Sequence, residues 1–204
     1  MIFTQDIVLK LFFSKKKIIN NRFSIPIHSS IILAPTHRSR WDGLLLTMAM
    51  GRRVTNKDCR FMVTKSEMMG IQGWFLKRLG CFSINQLSPS LSVLRYAIDL
   101  IEKGEQLVVF PEGKINKFRK KLILKEGLYR LARLATKRTK AVTIIPIGIA
   151  YSNISPKFRD EFCLSFGQPI SMDDNLNLTI TEFNEFLNQE MIKAEKLALK
   201  NVGR

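Results

Sequence analysis

The amino-acid sequence predicts an α/β fold, a mostly parallel or mixed sheet flanked by helices, with a short amphipathic helix at its start. Three observations predict it. Short apolar runs at 31–33, 60–63, 81–84, 106–110 and 142–149 alternate with stretches of helical periodicity, the pattern of βαβ units. Two of these runs end in sharp turns that carry ionisable residues, His37 to Asp42 and Glu112, and in open α/β sheets the carboxyl ends of strands are where ligands bind. The intervening segments carry helix punctuation, such as Ser88 or Ser90 before and Gly104 after the helix expected at 90–103.

Taken in order, residues 2–19 place Phe3, Ile7, Val8, Leu11 and Ile18 roughly on one side of a helix, with Phe13 off the stripe and Lys15, Lys16 and Lys17 at its end. Such a segment suits the headgroup layer of a membrane, or equally a helix laid on the core. Residues 20–29, with Pro26, read as a connector, so the chain divides into an N-terminal helix and connector (1–24) and a main domain with a C-terminal helix (25–204). Within that domain the first strand is 31–33 and the next helix is 41–50, closed by Gly51. A second strand at 60–63 precedes a Met-, Trp- and Phe-rich helical stretch, 64–79, interrupted by Gly70 and Gly73. Beyond the strands at 81–84 and 106–110, helices are expected at 126–137 and 179–199, with strands at 142–149 and 162–166 between them. The basic run Lys114, Lys117, Arg119, Lys120, Lys121 and Lys125 reads as a loop.

At 204 residues the chain is long enough for one domain with a sizeable core, and 46% apolar content is ordinary. The charge is not: 33 basic against 17 acidic residues give a formal +16, a field that favours anionic partners such as nucleic acid, anionic lipid, phosphorylated substrates or an acidic carrier protein. Cys59, Cys81 and Cys163 have no metal-ligand or CxxC spacing and suit a reducing, cytoplasmic compartment. No apolar run is long enough to span a membrane, and the first lysines follow the apolar residues rather than precede them, unlike a signal peptide.

His37 and Asp42 are the candidate catalytic pair. With only two histidines in the chain, no multi-histidine metal site is available. A neutral imidazole can take a proton at physiological pH, and a carboxylate on its other nitrogen would fix the tautomer. No GxSxG is present, so the nucleophile would be a hydroxyl of the substrate. The second constellation is Phe110-Pro111-Glu112-Gly113. Pro111 fixes its φ, Gly113 allows close backbone approach, and Glu112 could serve a ligand or pair with an arginine such as Arg40.

These two blocks, in this order and separation, resemble the HxxxxD and FPEG motifs of the glycerolipid acyltransferases (PlsC-type, 1-acyl-glycerol-3-phosphate acyltransferases). Gly80 to Ile84, Val142 to Ile149 and Phe166 to Ile170 sit where that family has further blocks, so the resemblance covers about residues 25–172. It implies direct acyl transfer in phospholipid synthesis. His37, oriented by Asp42, would deprotonate the acceptor hydroxyl, which attacks the thioester of acyl-coenzyme A or acyl carrier protein. No metal and no cofactor beyond that co-substrate is implied. The FPEG residues, Phe110 to Gly113, would bind the lysolipid acceptor. The enzyme would work peripherally on the anionic inner face of a membrane, from the cytoplasm. Gln86 stands where the family usually has a phosphate-binding arginine and Lys114 where it has Thr or Ser; Lys65 and Lys114 are candidates to compensate, and Arg40 is a further candidate substrate-binding residue. An acyltransferase for another acceptor, a lysophospholipid or glycolipid, is the alternative. A non-enzymatic nucleic-acid-binding protein is a more remote one, not expected because no nucleic-acid-binding motif is present and the basic run holds one aromatic, Phe118, rather than a series of stacking platforms.

Overall fold

The structure, a computed structural model, describes residues 2–20, 30–85, 87–119, 121–173 and 178–204, with side chains from Asp6 onward. Helix α1 (Ile2–Phe12) leads into strand β1 (Phe13–Ile19). Then come β2 (Ser30–Pro35), α2 (Asp42–Met50), α3 (Arg52–Thr55), β3 (Cys59–Thr64), a 3-10 turn (Lys65–Met68) and α4 (Gly70–Arg78). Next are β4 (Cys81–Ile84), α5 (Leu91–Glu102), β5 (Gln106–Val108) and α6 (Gly127–Thr139). The chain ends with β6 (Ala141–Tyr151), β7 (Asp160–Phe166), β8 (Ile170–Asp173) and α7 (Ile180–Asn201).

All the strands join one sheet in the order β1-β7-β6-β2-β5-β3-β4, with β8 also beside β6. From β6 to β4 the pairings are parallel, and β7 and β8 run antiparallel to β6. Strand β2 shows why its run is wholly apolar. Ile31 and Leu33 face a core shared with Leu45, Leu46 and Ala49 of α2, while Ile32 and Ala34 face the opposite core with Ala97 of α5, Leu131 of α6 and Leu187 of α7. A parallel sheet covered on both faces leaves no polar side. The helix after β2 therefore lies on one face and the helix after β5 on the other. Their diverging connections open a crevice at the carboxyl ends of β2 and β5, the switch point of an open α/β sheet.

Two expectations are corrected. The segment 2–19 is not one helix: it changes at Phe13, which is buried, into an edge strand parallel to β7. Lys15 reaches Glu161 across that pairing at 2.9 Å. The strand after Gly167 was not expected either. Strands β7 and β8 follow one edge of β6 and are interrupted between Phe166 and Ile170. Pro146 of β6 lies opposite that break. Its carbonyl accepts Gly167 N at 2.9 Å, so the donor that a central-strand proline lacks would have faced the interruption, where no ladder bond is needed. Of the connector expected at 20–29, residues 21–29 lie outside the described residues, as does Gln86.

Helix α7 lies unusually close to β6. A Cβ on Gly148 would sit 2.1 Å from the backbone nitrogen of Glu195, so only glycine admits the helix at this height. The helix is started by a capping box, Thr179 with Glu182.

Candidate active site

His37 follows the end of β2 and Glu112 follows the end of β5, so adjacent parallel strands deliver both to the crevice. The His37 imidazole stacks on Phe110, ring centroids 4.0 Å apart, and its Nδ1 lies 2.9 Å from Asp42 Oδ2. Asp42 begins α2 and is fully buried, yet both its oxygens are hydrogen-bonded. Oδ2 also accepts the backbone N–H groups of Arg38 at 2.6 Å and Ser39 at 2.9 Å, while Tyr151 donates its hydroxyl to Oδ1 at 2.6 Å. An ionised carboxylate only accepts, so Nδ1 carries the proton and Nε2 keeps a lone pair. Burial, reinforced by the Asp42 charge and hydrogen bond, pushes the Tyr151 phenol well above its ordinary range, which keeps it a donor.

Behind the histidine lies a buried charge cluster. The Arg38 side chain donates Nε and Nη2 to Glu195 of α7, at 2.5 and 2.8 Å, and Nη1 to Glu112, at 2.8 and 3.0 Å. Burial pulls the guanidinium pKa down, and the two carboxylates more than offset it, so it stays charged. Glu112 also accepts the His37 backbone N–H at 2.9 Å and Asn116 Nδ2 at 2.9 Å. Arg119 adds a second cation on Glu195 at 3.1 Å. The arginine paired with Glu112 is thus Arg38, not Arg40, because Arg38 alone points inward from the turn. Arg40 is exposed, 3.9 Å from Glu67.

In front of the ring is a cavity of about 820 Å³, lined largely by apolar side chains that include Leu44, Phe61, Phe75, Cys81, Leu94 and Leu134. Burial holds the Cys81 thiol at about 12, so it acts there as a small apolar group. His37, Arg40, Pro111, Gly113 and Lys114 reach the same cavity. Lys65 does not line it; it sits exposed on the 3-10 turn beyond β3, between the cavity-lining residues Thr64 and Glu67. Gly113 takes the left-handed conformation, φ +68°, that turns the chain after Glu112. Among the described residues no group of three or more His, Cys, Asp or Glu could hold a metal ion.

Sequence reasoning missed Arg38, Tyr151, Asn116 and Glu195. One signal was present: the buried stripe of α7 runs Phe183, Leu187, Met191, Ala194 and Ala198, and Glu195 lies within it. A carboxylate on an apolar helical face needs a buried cation.

The chain is 30% identical over 146 residues to the 1-acyl-sn-glycerol-3-phosphate acyltransferase of Streptococcus pneumoniae, a match covering 71% of this chain and 51% of that protein. It therefore spans about half the length of this curated relative. The crystal structure of the 1-acyl-sn-glycerophosphate (LPA) acyltransferase PlsC from Thermotoga maritima shares the fold, with a TM-score of 0.72 at 17% identity, covering 96% of this chain and 77% of that one. A family model described as Acyltransferase matches residues 16–150, a span holding both the His37–Asp42 turn and the Phe110–Gly113 turn. With two-thirds of its length under that model and both turns converging on one cavity, the chain belongs to the acyltransferase family.

Proposed function

We propose that this protein transfers a fatty acyl group from an acyl thioester to the hydroxyl of 1-acyl-glycerol-3-phosphate. The observation that carries the reading is the His37 ring, tied through Nδ1 to buried Asp42 and lining the apolar cavity. Nε2 takes the proton of the acceptor hydroxyl. The oxygen attacks the thioester carbonyl, the carbon–sulfur bond breaks, and the proton passes to the departing sulfur. General-base assistance of this kind contributes about 10²–10⁴-fold, and holding the two substrates together supplies much of the remainder. The cavity suits an acyl chain, and Arg40 and Lys114 at the same cavity suit the acceptor phosphate. Glu112, turned inward onto Arg38 and the His37 backbone, would shape the acceptor site rather than touch its ligand.

The donor is acyl-coenzyme A or acyl carrier protein, no cofactor or metal takes part, and the protein works on an anionic membrane from the cytoplasmic side. Among the described residues no helix is long and apolar enough to cross a membrane, which leaves room for peripheral attachment. Gln86, in place of the family's arginine, favours a second reading in which the acceptor is another lysophospholipid or a glycolipid. Purified protein given each thioester with a panel of acceptors tests both. The expected product is diacylated glycerol phosphate, formed by the native chain and lost in His37→Ala with the fold intact by circular dichroism. Normal turnover by His37→Ala would overturn the mechanism, and preference for an uncharged acceptor would overturn the assigned substrate.

A further inference from the structure

Helix α4 buries only Gly73 of its nine residues. Ile71 is 88% exposed, Trp74 56% and Phe75 43%, and Met69 just before the helix is 71% exposed. Positions 71, 74, 75 and 78 share one helical face, since they repeat at intervals of three and four. The fourth member of that stripe is Arg78, whose guanidinium lies 3.8 Å over the Trp74 ring. A helix that turns an isoleucine, a tryptophan and a phenylalanine outward, with no element among the described residues laid over them, marks an interaction surface.

The other side of the same helix is cavity wall: Gln72 and Leu76, with Leu79 just past its end, line the space that opens on His37, and Phe75 at the boundary is exposed and also reaches that space. Past β4, Leu87 and Leu91 are again strongly exposed on either side of the cavity-lining Pro89. Charge accompanies the apolar rim. Lys77 and Arg78 form the last turn of the helix and Lys65 precedes it, and the cavity adds Arg40, Lys114 and Arg130 against the carboxylate of Glu67.

We propose that α4 is the element that docks this protein on an anionic lipid bilayer. The Ile71–Trp74 face enters the headgroup–acyl boundary, and the flanking cations meet lipid phosphates. The cavity wall then becomes the threshold over which a lipid chain enters. The chemistry matches an interfacial helix: apolar side chains on one face, cations beside them, and a tryptophan whose ring is at home at the boundary. A positive field over the whole chain, formally +16, draws the same surface to acidic lipid. Helix α1, the segment the sequence pointed to, also exposes Ile7, Val8 and Leu11, but it lies away from the cavity mouth and its Leu9 and Phe12 are held against the core and Trp41, which gives it the lesser role. The inference rests on the acyl-transfer reading only for the purpose of the docking, not for its occurrence.

The test uses the whole chain and vesicles of phosphatidylcholine with or without phosphatidylglycerol. Ile71 and Trp74 do not line the cavity, so Ile71→Ser/Trp74→Ser keeps turnover on a dispersed short-chain lysolipid while binding to phosphatidylglycerol vesicles falls at least about tenfold. Ile7→Ser/Leu11→Ser in α1 costs less. Brominated acyl chains quench the tryptophan emission of the native protein and no longer do so in Trp74→Phe, where Trp41 remains. Unchanged vesicle binding by the α4 pair, a larger loss from the α1 pair, or quenching that persists in Trp74→Phe overturns the inference. So does a dimer in solution that the α4 pair dissolves without affecting vesicle binding. Should α4-dependent binding be found with no acyl transfer on any acceptor, the docking stands and the proposed activity falls.

Discussion

Behind the His37 ring, Asp42, Arg38, Glu112 and Glu195 are buried and bonded to one another or to backbone; in front of it, the cavity is apolar and rimmed by exposed cations. The rear is complete without a ligand. The front exposes surface that only a ligand would cover. Rigid, fully bonded polar groups hold a base in its working orientation, whereas an apolar wall of Met, Leu and Phe adapts to a flexible chain. Substitutions behind the ring should therefore change turnover or stability, and substitutions in front should change which substrate is used.

The largest effect is expected from Asp42→Asn. The amide keeps the size of the side chain but no longer fixes the Nδ1–H tautomer, and the corresponding change in a Ser-His-Asp triad lowers turnover about 10⁴-fold. Turnover measured with saturating substrates, with the fold checked by circular dichroism, should show a loss of that order and little change in KM. A loss below tenfold would mean that the rear does not orient the base.

Next comes Arg38→Met. Breaking a buried ion cluster by removing one partner costs about 3–5 kcal/mol, here because Glu112 would lose its described ion-pair partner and Glu195 would keep Arg119 alone among the described residues. Urea unfolding should show it as a fall in midpoint. The triple change Arg38→Met, Glu112→Gln, Glu195→Gln should regain part of the stability, because the two buried carboxylates are gone and the remaining cation, Arg119, is only partly buried. A midpoint unmoved in Arg38→Met would make the rear no more rigid than the front. Tyr151→Phe follows, removing one hydrogen bond to a charged acceptor at a cost of about 1.5–3 kcal/mol. Part of that cost should surface as slower turnover, because Oδ1 of Asp42 then loses its described side-chain donor.

The two charged turns were legible in the sequence, and the partners that complete the buried cluster behind them were not. The apolar runs of β2 and β5 announce strands buried on both faces, and the charged turns after them fall at strand ends, so His37, Asp42 and the Phe110–Gly113 block could be placed on one edge. Arg38 could not be told from Arg40, because direction of approach in an irregular turn has no periodic signature. Glu195 carried a signal in its position on the buried stripe of α7, but its cation lies 157 residues away. Strand β1 was hidden for the same reason: Phe13 to Ile19 pairs with residues near 160, and a lysine run whose neighbours are supplied from afar reads locally as a helix end. Periodicity reports which face is buried, not what buries it.

The smallest effect, and the sharpest contrast with the rear, is expected at Cys81. Its side chain lies on the cavity wall in β4, partly buried, and its thiol stays neutral through the physiological range. Cys81→Phe adds a ring where the cavity has room for a chain. A pocket that loses the space of a methylene discriminates by about 1–3 kcal/mol, so long-chain thioesters should lose about tenfold or more relative to short-chain ones. Turnover on the short chain should hold, because the added ring touches neither the Nδ1–Asp42 bond nor the Arg38 cluster. Competition between a long and a short acyl thioester in one reaction reads the ratio directly. Equal loss on both chains would mean that the wall at Cys81 bears on the base itself, and the separation between an orienting rear and a selecting front would fail.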